Sequence, residues 1–226
     1  PASPSALVLA LHGGRATSTD TPRRLGLAYL RVRHLAAKVA GAGRPHEVAT
    51  WLLRYRYRGW NGRSRDPVHD ARWALQQAHQ THPGVPVVLL GHSMGARAAL
   101  WVAGEPSVTA VCALAPWVEA ADPVAQLVGR QVLIAHGDRD RMTDPAASFE
   151  FAQRVRAAGG RVCRFEVPGA DHAMLRRPAV WTGLTRRFVL SAAGVVPPDP
   201  RVVAAFDEPA PGGLRVPISA ASGSST

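Results

Sequence analysis

Residues 85–102 read Val85-Pro86-Val87-Val88-Leu89-Leu90-Gly91-His92-Ser93-Met94-Gly95-Ala96-Arg97-Ala98-Ala99-Leu100-Trp101-Val102. An apolar run of strand length passes through Gly-His-Ser-Met-Gly into an alanine-rich, helix-forming stretch. A serine on a sharp strand-to-helix turn adopts a strained backbone. The positions two residues to either side accept no bulky side chain, which accounts for Gly91 and Gly95. Such a turn exposes Ser93 Oγ above the start of the next helix, whose free N–H groups favour developing negative charge. The same five residues also suit a glycine-rich turn with an incidental serine, so the rest of the chain has to decide.

A serine is a poor nucleophile without a base, and the base needs an orienting acid. The segment Gln131-Val132-Leu133-Ile134-Ala135-His136-Gly137-Asp138-Arg139-Asp140 reads as a buried strand followed by a polar loop. Asp140 is the candidate acid, with Asp138 as the alternative. Asp144-Pro145 fits a helix N-cap with proline at the first helical position. The candidate base is His172, in Pro168-Gly169-Ala170-Asp171-His172, just past the strand-like Arg161–Val167. His92 is pinned inside the turn, and His136 is expected to pack at its strand end. Ala6–Leu11 is a further apolar strand that runs into His12-Gly13-Gly14-Arg15. Glycines there allow close approach of backbone N–H groups, so Gly14 and Met94 N–H are the expected oxyanion donors.

Four loops thus follow in one order: His-Gly-Gly, Gly-x-Ser-x-Gly, Gly-Asp-x-Asp and Gly-x-Asp-His. This set resembles the serine hydrolases of the α/β-hydrolase superfamily, over residues 6–190. The resemblance implies Ser93 as nucleophile, Asp140 as acid, His172 as base, and Gly14 and Met94 as oxyanion donors. It implies the α/β-hydrolase fold without a cap domain, because no cap-sized insertion separates the strands at 108–114 and 131–136. The antiparallel hairpin that often precedes the first strand is not visible. An open site and no lipase-like lid are therefore expected. A serine nucleophile also separates the chain from the dehalogenase and epoxide hydrolase branches, which use aspartate.

The rest of the sequence alternates strands and helices. Thr21-Pro22 opens a predicted helix with Leu25, Ala28, Val32, Leu35, Ala36 and Val39 on one face, closed by Gly41. A strand at 47–55 follows, then a helix from Asp66-Pro67 with Ala71, Ala74, Leu75 and Ala78 facing inward. Strands at 108–114, 131–136 and 161–167, a helix after Asp144-Pro145 and a helix at 178–190 complete the set. The alternation predicts an α/β fold: a doubly wound, mostly parallel sheet of about six strands with helices on both faces. In such sheets ligands bind at the C-terminal strand ends, where all four loops fall. The catalytic domain is expected to span 1–191. Residues 192–226 read as a Pro/Gly/Ser-rich, loosely packed tail, in which Val202, Val203 and Phe206 are able to dock.

The 226 residues carry a formal net charge of +11, and Lys38 is the only lysine. The arginines are dispersed, which fits solvated surface residues and no specific nucleic-acid partner. Arg15, and Arg56 or Arg58, are placed to meet an acidic substrate group. Trp60 and Trp117 follow strands at the active-site end and are candidate substrate-pocket residues. Cys112 and Cys163 fall on strands two apart, roughly 10 Å, beyond the ~7 Å reach of a disulfide. No metal-ligand spacing is present, and no cofactor is expected. No run approaches the ~20 apolar residues of a membrane span, and no signal peptide is visible, so a cytoplasmic location is expected, with secretion after removal of an upstream signal as the alternative. The reading is a cofactor-free serine hydrolase acting on a small-molecule ester or thioester. Acyl transfer, peptide hydrolysis and a non-catalytic binding role are the alternatives.

Overall fold

The computed structural model describes Pro1 and residues 3–218. Seven strands form one sheet: β1 (Ala6–Leu11), β2 (Val48–Leu53), β3 (Val87–His92), β4 (Val108–Leu114), β5 (Gln131–Gly137), β6 (Arg161–Val167) and β7 (Val216–Pro217). Their order is β2-β1-β3-β4-β5-β6-β7, and every pairing is parallel. Parallel strands are covered on both faces and so read as continuous apolar runs. β1, Ala-Leu-Val-Leu-Ala-Leu, is buried at every position.

Helices α1 (Leu27–Gly43), α5 (Pro178–Ala192) and α6 (Pro200–Asp207) cover one face. Helices α2 (Asp66–Thr81), α3 (Met94–Val102) and α4 (Pro145–Ala157) cover the other. The alternation of strand side chains divides the core accordingly. Leu7, Leu9 and Leu11 pack toward α2 and α3, while Val8 and Ala10 pack toward α1 and α5. From β1 the chain first runs outward to β2, then returns to β3 on the other side. The connections leaving β1 and β3 diverge there and open a crevice beyond their C-terminal ends. His12–Arg15 and Ser93 lie at that crevice. Residues 115–130 between β4 and β5 hold only turns and one short 3-10 segment, so no cap domain is inserted there.

Three expectations need correction. The predicted helix from Thr21-Pro22 begins later, after Gly26, which is extended. Leu25 therefore lies outside the helix and is 81% exposed rather than core. The sheet has seven strands rather than about six. The stretch after residue 191 is not loosely packed over its described part. Asp199 accepts a hydrogen bond from Arg201 N–H and caps α6, with Pro200 at the first helical position. Proline at that position starts a helix instead of breaking one. Val202, Ala205, Leu214 and Ile218 are buried, whereas Val203 and Phe206 are half-buried, and β7 extends the sheet beside β6. Arg156 ties this segment down through the Ala205 and Glu208 carbonyls. The closing Ala221–Thr226 lies outside the described residues.

Cys112 and Cys163 are buried free thiols, with Leu133 of β5 between them in register. No described helix is long and apolar enough to cross a membrane.

Candidate active site

Ser93 joins β3 to α3 with φ 56° and ψ −122°, a conformation that a side-chain-bearing residue holds only at a cost. The surroundings enforce it. A methyl at Gly95 would collide with the Leu11 carbonyl, and one at Gly91 would stand 2.5 Å from Ala96 Cα. Only glycine lets β1, β3 and α3 close this tightly around the turn.

Ser93 Oγ lies 3.0 Å from His172 Nε2, and His172 Nδ1 lies 2.7 Å from Asp140 Oδ2. Since the carboxylate only accepts, Nδ1 carries the proton and Nε2 offers its lone pair to the Ser93 hydroxyl. Three residues far apart in sequence thus form one hydrogen-bonded line. Asp138, the alternative acid, is exposed and instead accepts from Gly169 N–H.

Asp140 is held by more than His172. Its Oδ1 accepts from Met142 and Thr143 N–H at 2.8 and 3.0 Å. Its Oδ2 also accepts from Thr143 Oγ1 at 2.8 Å and His136 Nε2 at 3.1 Å. Burial pushes this carboxyl up, but bonds from His136, His172, Thr143 and Met142 outweigh it and leave it well below the usual carboxylate range. Asp140 is therefore an anion that faces His172. His136 is fully buried, and burial pulls it down despite the adjacent Asp140. Its neutral Nε2–H donates to Asp140, while Nδ1 lies 2.9 Å from Ser148 Oγ, which accepts from Arg164 Nε. The expectation that His136 packs at its strand end omits this contact with the acid.

His92 holds the His172 backbone and ring. Its Nε2–H donates to the His172 carbonyl at 3.0 Å, and the two rings lie 4.8 Å apart. Burial, with His172 and Arg31 nearby, pulls His92 down to about 3. The unfolded chain binds a proton near pH 6.5 that folded His92 refuses. This contribution to stability is complete above about pH 6.5 and is lost as pH falls toward 3. Urea unfolding of His92→Gln is expected to decline less steeply across that window, with His12 and His136, and below about pH 5 also Asp140 and Asp199, supplying the remaining slope. An unchanged slope would contradict the assignment.

Gly14 and Met94 flank the crevice from β1 and α3. Neither backbone N–H has a hydrogen-bond partner among the described residues. A Cβ at Gly14 would collide with the Arg58 carbonyl and the Met94 side chain, so only glycine brings this backbone against the elbow. Arg15 is exposed beside it, its N–H bonded to the Arg58 carbonyl at 2.8 Å.

The candidate pocket tryptophans have a different setting from the one expected. Arg97 of α3 is 4% exposed, with its guanidinium 4.3 Å from the Trp60 ring centre and 4.6 Å from that of Trp117. It also binds Glu119 and Asp122. Trp60 is buried by this packing and forms a wall behind Trp117. Trp117 remains half-buried, and its backbone N–H donates to the Ser93 carbonyl at 3.3 Å. Arg97, Thr143 and the two histidines that support the line were missed as site residues. A buried arginine inside an apolar helix was the one available signal.

The family model described as serine aminopeptidase, S33, matches residues 2–131, more than half of the chain and including Ser93. Asp140 and His172 lie beyond the matched stretch. Similar solved structures include an alpha-beta serine hydrolase homologue from Coxiella burnetii, with TM-score 0.64 and 18% identity over 84% of this chain and 87% of that one. A serine hydrolase without lid from Xanthomonas campestris has TM-score 0.61 and 18% identity, covering 88% of this chain and 86% of its own. A thermophilic esterase from Thermogutta terrifontis, with propionate bound, has TM-score 0.63 and 17% identity over 88% and 87%. No match was found among curated protein sequences. The lidless sheet and the family match agree: the chain belongs to the serine aminopeptidase S33 family and to the α/β-hydrolase superfamily, with the fold in its capless form.

Proposed function

We propose that this protein is a serine hydrolase that cleaves a carboxylic ester or thioester through an acyl-enzyme on Ser93. The observation that carries the reading is the unbroken line from Ser93 Oγ through His172 to Asp140, with separations of 3.0 and 2.7 Å. His172 Nε2 takes the hydroxyl proton as Ser93 Oγ attacks the carbonyl carbon. Gly14 and Met94 N–H groups receive the oxyanion, and Asp140 stabilises the imidazolium that forms. His172 then passes its proton to the departing alcohol or thiol. Water, deprotonated by His172, releases the acid and restores Ser93. Trp117 and Arg15 border the substrate. Trp60 acts through Trp117 and Arg97, without touching substrate itself.

The family description favours a second reading, an aminopeptidase. Such an enzyme needs a carboxylate to hold the substrate's α-ammonium group. Most acids near Ser93 are otherwise engaged: Asp140 with its histidines, Asp138 with Gly169 N–H, and Glu119 and Asp122 with Arg97, while Asp171, beside His172, lies near Arg31 and has a buried Oδ1 with no hydrogen-bond partner among the described residues. Ester cleavage therefore fits these surroundings better. Turnover of p-nitrophenyl esters and acyl thioesters of graded chain length, beside aminoacyl p-nitroanilides, tests the choice. Esters or thioesters are expected to exceed anilides in kcat/KM by about 100-fold or more, a gap of roughly 3 kcal/mol. Cleavage of anilides alone would favour the peptidase.

A further inference from the structure

Seven large apolar side chains are exposed among the described residues, and five of them share the Ser93 face. Leu25 and Leu27 follow β1, Tyr57 follows β2, Met142 follows β5 and Leu175 follows β6. Leu25, Leu27, Met142 and Leu175 are each 74–81% exposed. A single exposed leucine needs no explanation, but a set confined to one face does. Each member is also set among arginines: Arg23-Arg24-Leu25-Gly26-Leu27, Arg56-Tyr57-Arg58, Arg139-Asp140-Arg141-Met142 and Leu175-Arg176-Arg177.

Arg56 and Arg58 have acidic partners in Asp70 and Asp20. Arg23, Arg24, Arg139, Arg141, Arg176 and Arg177 are exposed and have no acidic partner among the described residues. Acids of the same loops are turned to other work: Asp138 holds Gly169 N–H, Asp140 is buried, and Asp144 caps α4. Between α1, α5 and the loop after His172 lies a cavity of about 380 Å³. Leu27, Leu30, Met174, Leu175 and Trp181 line much of it. The Ala28 methyl, next to Leu27, is 3.6 Å from a Cβ position on Gly13 that is itself 3.3 Å from Ser93 Cβ. Ala173 and Met174, which also line the cavity, follow His172 directly in the chain and place it beside the crevice.

We propose that the Ser93 face docks on an anionic lipid–water surface. Arginines meet the headgroups, the exposed leucines and Met142 enter the acyl boundary, and the cavity accepts part of an acyl chain. A nucleic acid would use the arginines but leave the leucines and the cavity without a role. The proposal does not depend on the serine chemistry, and it requires no lid.

Co-sedimentation of the full chain with phosphatidylcholine vesicles tests it, with and without about one third phosphatidylglycerol. The anionic vesicles are expected to bind at least about tenfold more tightly, with binding weakened by salt. Arg176→Gln with Arg177→Gln is expected to weaken binding about 25-fold, at about fivefold per arginine. Leu25→Ser with Leu175→Ser is expected to weaken it at least about tenfold. Circular dichroism confirms that each variant is folded. Absence of binding to anionic vesicles by the folded wild type would overturn the proposal. So would binding that the leucine variant leaves unchanged and double-stranded DNA displaces, which would assign the face to a polyanion.

Discussion

Ser93→Ala is expected to lower turnover of an activated ester by about 10⁴-fold or more while leaving the fold intact. The hydroxyl is the only group removed, and its oxygen is the atom that lies 3.0 Å from His172 Nε2. The strained turn survives the change. Its conformation is imposed by close packing around Gly91 and Gly95, not by any bond from the serine side chain to the backbone. The thermal midpoint should therefore shift by only a few degrees, about what 1 kcal/mol or less produces in a domain of this size. Loss of turnover with an unchanged midpoint identifies a chemical role. Retained turnover in a folded variant would remove Ser93 from the mechanism.

His172→Ala should be nearly as severe, at about 10⁴-fold in kcat. The informative comparison is with His136→Ala. Both imidazoles bond to Asp140 Oδ2, so proximity to the acid does not separate them. Direction does. His172 turns its second nitrogen to Ser93, whereas His136 turns its own to Ser148. Without His136, Asp140 still keeps bonds from Met142 and Thr143 N–H, Thr143 Oγ1 and His172. Activity in His136→Ala should stay within about 100-fold of wild type, roughly 3 kcal/mol. Its larger effect should be on stability, a loss of about 2–4 kcal/mol from the buried cavity and the broken polar chain. An inactive His136→Ala beside an active His172→Ala would reverse the assignment of the base.

The parallel strands were legible because both faces are covered. β4 and β6 fall at 108–114 and 161–167, the bounds expected from the sequence. The elbow was legible because its glycines answer a steric demand between adjacent elements, and that demand is local in sequence. What escaped the reading depends on groups distant along the chain. Thr21-Pro22 has the chemistry of a helix start, yet the helix waits until Gly26. The prolines of the 192–226 segment suggest a loosely packed tail, but the effect of a proline depends on its position. After the capping Asp199, Pro200 starts α6, which buries Val202 and Ala205. Trp60 and Trp117 were recognised as neighbours of the site, but the guanidinium between them comes from Arg97, 37 and 20 residues away in numbering. The second histidine on Asp140 was equally hidden. Four residues separate them, but the contact follows from how the loop after β5 folds back on its strand.

The central claim is an assembled, reactive Ser93. It is tested most directly by treating the folded protein with a fluorophosphonate and locating the adduct by mass spectrometry, with Ser93→Ala alongside. A single adduct on Ser93, absent from the variant, is expected. A folded wild-type protein that stays unlabelled, or is labelled at another residue, would contradict it.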